Sequence, residues 1–451
     1  MYYLLEKLNI HKLNFTILNT LSKSIKEKII MLILIMFILF LLVLFILRIL
    51  RVGVSEQVDN NKKIIYFGET CDLENNETSK DYSKGYQLAF SSVNRKGGVN
   101  GYIIKLILLN DKYETELAIK NAKLLIDYYN VLAIIGTFGT PTTVGILTEA
   151  IGDRHIPLIG PFSAGTSYRK YFTEYLITTN TSFYPEFDLI IENMLQNSYN
   201  NISILFQNDI YGNYFYNAFV DYILEKKLPF NILSSGKYER NSDDLDNTFK
   251  TIFNVANPYD YSGYNKNKIK KIQAILIFTA EKEISSILGQ LKKISPSIAI
   301  YYNFFVGTRK SNLEYLKYEN TDNIYQTLLS HATIEDYPEL NKLLNDEIDE
   351  HNKNNIIKID EINSSLIQGF YSGMMICKVL ENFENMTEIN RKTFTEMFYK
   401  MKTIDVYGFP MGPFIMGQNN EAIKYVELNQ LQPDLEFKLI KSMNFGEYKS
   451  K

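Results

Sequence analysis

The sequence contains no tryptophan, two cysteines and four histidines among its 451 residues. So few cysteines exclude a disulfide-stapled scaffold, and with so few histidines they cannot build a structural zinc centre. Cys71 and Cys377 are compatible with one disulfide in an oxidising compartment or with two reduced core thiols. An excess of charge of either sign is also missing. Lys and Arg number 48 against 51 Asp and Glu, a formal net charge of −3, so no strong field steers the chain toward nucleic acid. No HExxH, GxxxxGK[ST] or GxSxG run occurs, which removes the signatures of zinc proteases, P-loop enzymes and nucleophile-elbow hydrolases. His155, His331 and His351 stand apart from the glycine- and hydroxyl-rich loops discussed below. The expectation is a protein that is not an enzyme, with no catalytic residue, no metal and no cofactor.

The strongest local feature is an uncharged run, IIMLILIMFILFLLVLFIL, over residues 29–47. About 19 apolar residues rising 1.5 Å each match a hydrocarbon core of about 30 Å. The run has no polar stripe, which a buried soluble helix would show. It exceeds the usual apolar core of a cleaved signal peptide, and no small-residue cleavage site follows. Residues 29–50 are therefore expected to form a single-pass signal anchor. Lys7, Lys12, Lys23, Lys26 and Lys28 precede it, against Arg48 and Arg51 behind, which predicts a cytoplasmic segment 1–28 and an extracellular or periplasmic remainder. Residues 51–61 read as a polar tether.

After the tether, short apolar runs alternate with amphipathic stretches. Runs at 63–67, 103–109, 131–135 and 156–159 have the Ile/Val/Leu content of buried strands, and 82–96 and 114–128 have helical spacing. The pattern repeats with strands at 202–206, 230–233, 272–278 and 298–302 and helices at 211–226 and 281–293. Helices at 364–383 and 390–401 and a last strand near 423–428 follow. Segments 235–270 and 307–360 are polar and read as loops and surface helices. The fold class expected is α/β, with two doubly wound parallel-sheet lobes behind the N-terminal transmembrane helix.

Ligands of such sheets bind at the carboxyl ends of the strands. That rule selects Gly136-Thr-Phe-Gly-Thr-Pro-Thr-Thr143, where Gly139 allows close backbone approach and Thr140, Pro141 and Thr142 open a helix. Free amides and hydroxyls there suit a carboxylate, although an ordinary capped helix has the same sequence. It also selects Gly160-Pro-Phe-Ser-Ala-Gly-Thr166, with Ser163 and Ala164, and Gln207-Asn-Asp-Ile-Tyr-Gly212, with Tyr211 at a helix start.

The order of Asn94-Arg-Lys-Gly-Gly-Val-Asn-Gly101, Asn110-Asp-Lys-Tyr-Glu114, Asn121-Ala-Lys-Leu-Leu125, the GTPT loop, Ile156-Pro-Leu-Ile-Gly-Pro161 and Asn208-Asp-Ile-Tyr-Gly212 resembles the Leu/Ile/Val-binding protein family. These are type I periplasmic binding proteins of branched-chain amino acid ABC transporters, and the likeness runs from about residue 62 to about 430. It implies a two-lobed clamp over 62–440, with lobe 1 near 62–182 and 331–402 and lobe 2 near 183–330 and 403–440. By the same resemblance, Thr140 and Ser163–Ala164 hold a ligand carboxylate and Tyr211 covers it; Gly139 and Thr142, in the same loop as Thr140, are further ligand-binding candidates. The family's second-lobe acid, which meets the ligand ammonium, is matched here by the stretch with Arg309, and this favours a ligand carrying more negative charge than a neutral zwitterionic amino acid, or one with no ammonium. The partners implied are a small amino acid-like or carboxylate ligand, the membrane and an ABC permease, with no nucleic acid. The ligand-binding ectodomain of a receptor or sensor is the alternative role for the same clamp. The sequons at Asn76, Asn180 and Asn363 permit glycosylation in a eukaryotic host.

Overall fold

The computed structural model describes Met36, Phe37 and residues 57–444, apart from 167, 170–173, 241, 243–244, 255–270, 310–312, 314–315 and 317–321. The chain divides into units 1–56 and 57–451. Among the described residues no helix is long and apolar enough to cross a membrane. The expected anchor lies outside the described residues, save for Met36 and Phe37, which are helical.

Unit 57–451 is built on two sheets. The first contains β1 (Val58–Asp59), β2 (Ile64–Cys71), β3 (Ile103–Asn110), β4 (Ile134–Ile135), β5 (Leu158–Ile159) and β6 (Leu176–Ile177). Strands β3, β2, β4, β5 and β6 run parallel in that order, and only β1 pairs antiparallel. The second contains β7 (Asn201–Gln207), β8 (Asn231–Tyr238), β9 (Ala274–Phe278), β10 (Ala299–Tyr302) and β11 (Ile324–Leu328), all parallel. An antiparallel hairpin, β14 (Tyr425–Leu431) and β15 (Phe437–Asn444), extends it beside β11. A small hairpin, β12 (Ile404–Val406) with β13 (Phe409–Met411), stands alone. Both sheets are mixed rather than purely parallel, which corrects the sequence expectation. The β1–β2 and β14–β15 pairs are joined by short turns, as antiparallel neighbours can be, whereas β14 reaches β11 only after the chain has passed through α8, α9 and α10 of the first lobe.

Helices cover the sheets because each supplies one apolar face. The first sheet carries α1 (Glu77–Arg95), α2 (Thr115–Asp127) and α3 (Thr140–Gly145), which continues as a π-helical turn over Ile146–Ile151. The second carries α4 (Tyr184–Gln196), α5 (Ile210–Glu225), α6 (Asp246–Phe253) and α7 (Glu281–Ile294). Helices α8 (Pro338–Asn354), α9 (Ser364–Glu381) and α10 (Arg391–Met401) then return to the first lobe, with α8 and α9 against α1 and Phe394 of α10 ringed against Phe67 of β2. The chain thus passes between lobes after β6, after β11 and before β14. The outer two passages pair with each other, Thr178 N–H donating to the Asn420 carbonyl (2.9 Å) and Ala422 N–H to the Thr178 carbonyl (2.8 Å).

Helix α1 starts at Glu77, five residues before the apolar spacing begins. The Asn76 side chain accepts from the Ser79 N–H at 2.8 Å and caps that extra turn. Its contact with α9 is backbone to backbone. A Cβ on Gly85 would stand 2.3 Å from the Leu366 carbonyl oxygen, and one on Gly369 would stand 2.0 Å from that of Tyr82. Segment 307–360, expected as loops and surface helices, contains the buried strand β11 as well as α8. Segment 235–270 contains the end of β8 and α6. Cys71 and Cys377 are buried free thiols. The sequon asparagines are also buried: Asn76 caps α1, Asn180 accepts from Arg169, and Asn363 caps α9, so none presents an amide to solvent.

Candidate functional site

The ends of β4 and β5 are locked side by side. Phe162 N–H donates to the Thr137 carbonyl (2.7 Å) and Gly139 N–H to the Phe162 carbonyl (3.1 Å), continuing the sheet ladder into both loops. This register sets the Thr140 and Ser163 hydroxyl oxygens 2.8 Å apart. Gly139 is required at the turn: its φ is +89°, and a Cβ would lie 2.2 Å from the Tyr113 ring. Thr142 has a different task from its neighbour. Its hydroxyl bonds the carbonyls of Phe138 and Gly139 (3.0 Å to the latter), so it braces the loop. Ala164 is buried beside Ser163.

Behind these loops lies Arg169, only 7% exposed, which nothing in the sequence distinguished from a surface cation. Its guanidinium donates to the carbonyls of Ser163 (3.0 Å) and Gly165 (3.0 Å), to Thr178 Oγ1 (3.0 Å) and to Asn180 Oδ1 (3.1 Å), and pairs with Glu421 at 2.8 Å. One side chain therefore ties the Ser163 loop to both paired interlobe passages.

From the second lobe, Tyr211 sits in the first turn of α5, where the Asp209 carboxylate accepts from the Gly212 N–H (3.0 Å). Its hydroxyl accepts from Asn303 Nδ2 at 2.5 Å, and its ring is 5.0 Å from that of Phe305. Tyr211 thus faces the first lobe through Phe305. That ring inserts between the lobes, stacked on Phe138 at 4.7 Å and 5.9 Å from Phe162. Phe138, Phe162 and Phe305 escaped attention in the sequence because each reads there as ordinary core. Further contacts cross between the lobes. Thr78 Oγ1 donates to the Val306 carbonyl (2.7 Å), Thr166 bonds the Tyr214 hydroxyl, and Arg240 lies 5.0 Å over the Tyr113 ring.

Arg309 is placed differently from the expectation. Its guanidinium bonds both Asp81 oxygens of α1 (3.1 and 2.9 Å) and Asp360 (3.3 Å), while Asn363 Nδ2 donates to Asp81 Oδ2 at 2.6 Å. Its charge is used to join the lobes, so the case for an unusually acidic ligand loses its support. The second lobe has its own buried acid, Glu186 of α4. One oxygen accepts from Thr327 Oγ1 at 2.5 Å, and burial raises its pKa to about 8. Glu186 Oε1 and Asn303 Oδ1 are buried acceptors with no hydrogen-bond partner among the described residues. Glu186 was missed because it lies in a helix rather than in a strand-end loop.

A family model described as periplasmic binding protein matches residues 74–434. The chain belongs to the periplasmic binding protein family. Members of that family are ligand binders, not enzymes. Among solved structures, a possible leucine/isoleucine/valine-binding protein from Rhodopirellula baltica is 19% identical with a TM-score of 0.71, covering 86% of this chain and 98% of that one. The branched-chain amino acid transporter substrate-binding protein LivJ from Streptococcus pneumoniae, in complex with isoleucine, is 15% identical with a TM-score of 0.64, covering 85% and 99%. A branched-chain amino acid ABC transporter protein from Thermus thermophilus with bound valine is 12% identical with a TM-score of 0.67, covering 85% and 97%. At such identities the likeness establishes the type I fold. A search of the curated proteins found no match.

Proposed function

We propose that this periplasmic binding protein captures a small amino acid-like carboxylate outside the cytoplasm, as the membrane-anchored substrate-binding component of an ABC-type transport system. The observation that carries the reading is the 2.8 Å pair of Thr140 and Ser163 hydroxyls in the loops that follow adjacent parallel strands. Both hydroxyls turn to a carboxylate once one arrives, as charge-assisted donors. Glu186 and Asn303 supply oxygen acceptors for an ammonium from the opposite lobe. The apolar run 29–47 supports anchoring, and the neighbours' bound isoleucine and valine support the ligand class.

The test is a thermal-shift and calorimetric screen of amino acids and simple carboxylates on the full chain in detergent, alongside mass spectrometry of co-purifying solutes. Thr140→Ala and Ser163→Ala are each expected to weaken carboxylate binding by about 1.5–3 kcal/mol, since each removes a hydrogen bond to a charged group. Unchanged affinity in both variants would place the site elsewhere.

A further inference from the structure

Phe305 is carried by the second lobe but packs chiefly on rings of the first. It stacks on Phe138 (4.7 Å, 29°) and lies 5.9 Å from Phe162 and 6.2 Å from Tyr113, with Tyr211 5.0 Å away on its own lobe. The ring is fully buried. Phe138 precedes Thr140 by two residues and Phe162 precedes Ser163 by one, so the rings that hold Phe305 are carried on the same two loops as the hydroxyl pair. A ligand held by those two loops between the lobes would compete for the space that Phe305 fills.

The shape of that slot is set by offset and tilted ring contacts, which reward a flat aromatic group over a branched aliphatic one. Phe305 is also carried on a short element, a single 3-10 turn over Phe304–Val306 that ends at Gly307 with φ +72°. The turn itself is held, its Val306 carbonyl accepting from Thr78 (2.7 Å) and its Gly307 carbonyl from Gln326 Nε2 (2.5 Å), so displacing the Phe305 ring requires rotation of that side chain rather than movement of the backbone.

We propose that the ligand is an aromatic carboxylate whose ring takes the place of Phe305 between Phe138, Phe162, Tyr113 and Tyr211, and that Phe305 is a built-in competitor that sets this specificity. The proposal rests on the solute-binding reading above and names the class of solute.

The experiment is calorimetric titration of the full chain in detergent with phenylalanine, 3-phenylpropionate, leucine and valine, using wild type, Phe305→Ala and Phe305→Leu. The aromatic acids are expected to bind about tenfold more tightly than leucine and valine, the ratio that roughly 1.4 kcal/mol of ring contact gives. Phe305→Ala removes the competitor and is expected to tighten aromatic binding by about a further tenfold, with Phe305→Leu between the two. Aromatic binding seen only after Phe305→Ala also supports the proposal. If Phe305→Ala does not fold, Phe305→Leu decides. Leucine or valine binding as tightly as the aromatic acids overturns the proposal and leaves the solute-binding reading standing. Weaker aromatic binding in both variants overturns it as well, because Phe305 is then a wall of the site and not an occupant. Binding of none of these acids to any form overturns both readings.

Discussion

Loss of the Arg309–Asp81 pair should destabilise the closed arrangement of the lobes in the absence of any ligand. The two side chains are 17% and 13% exposed, so the pair is largely desolvated, and one guanidinium nitrogen, Nη1, reaches both carboxylate oxygens at 2.9 and 3.1 Å. Burial raises the Asp81 pKa despite Arg309 and Asn363, so the carboxylate already bears a net desolvation cost. Arg309→Met would leave only the Asn363 amide to offset that cost. Removing one partner of a buried pair costs about 3–5 kcal/mol, and the lower end applies here because neither group is fully enclosed. The second contact, to Asp360, adds about 0–1 kcal/mol, since Asp360 is 78% exposed. A loss of about 3 kcal/mol shifts a closed-to-open ratio by about a hundredfold. Spin labels on α5 and α2, read as an interlobe distance distribution with and without Arg309→Met, report that shift directly. A double-mutant cycle with Asp81→Asn isolates the coupling from other effects of the substitution. An unchanged distance distribution together with a coupling below about 0.5 kcal/mol would refute the reasoning, because surface pairs alone reach that value.

Arg169→Met should lower both thermal stability and carboxylate affinity, because the Ser163 and Gly165 carbonyls and Glu421 lose a shared donor; Arg169→Lys should rescue stability in part but not affinity, as a point charge cannot span those directions. Loss of stability with affinity intact would assign Arg169 to the hinge alone. Gly369→Ala should destabilise by about 1–3 kcal/mol from overpacking between α1 and α9, measured by chemical denaturation, even though alanine is the better helix former. Burial raises Glu69 and Glu186 to about 8 and Asp111 to about 7. A carboxyl with a raised folded-state pKa holds an extra proton when folded, so its stabilising contribution is complete below about pH 4 and fades as pH climbs through 7 and 8. The thermal midpoint should therefore fall between pH 5 and pH 9, and a midpoint that rises across that window would contradict the assignment.

The strand-and-helix alternation was legible because buried parallel strands must be apolar on both faces, and runs such as Ile134–Ile135 or Ala274–Phe278 are. Strand β11 was not legible for the opposite reason. Its Gln326 and Thr327 are buried polar residues whose Nε2 and Oγ1 donate to the Gly307 carbonyl and to Glu186, partners that no local pattern contains. Strand β15 was missed because it is an edge strand, exposed along most of its length, with no alternation to read. At the site, Thr140, Ser163 and Tyr211 stood out because glycine and hydroxyl clusters at strand ends are conspicuous. Arg169, Asp81 and Glu186 were hidden, since what makes each of them matter is a partner between 141 and 252 residues away.

One short segment gathers most of what holds the lobes together. Asn303 supports Tyr211, Phe305 stacks on Phe138 of the first lobe, the Val306 carbonyl receives Thr78, and Arg309 grips Asp81. These contacts involve different atoms, so a ligand need not disrupt them together. A solute that displaces the Phe305 ring loses one set of stacking contacts and substitutes its own, while the Arg309 pair continues to hold the lobes. Under the proposed mode of binding, the free energy of closing would be largely supplied by the protein, and the ligand would contribute the difference between its ring and that of Phe305, together with bonds to Thr140 and Ser163. Affinity set by such a difference is sensitive to ligand shape, because a group that fills the slot poorly must still displace one that fills it well.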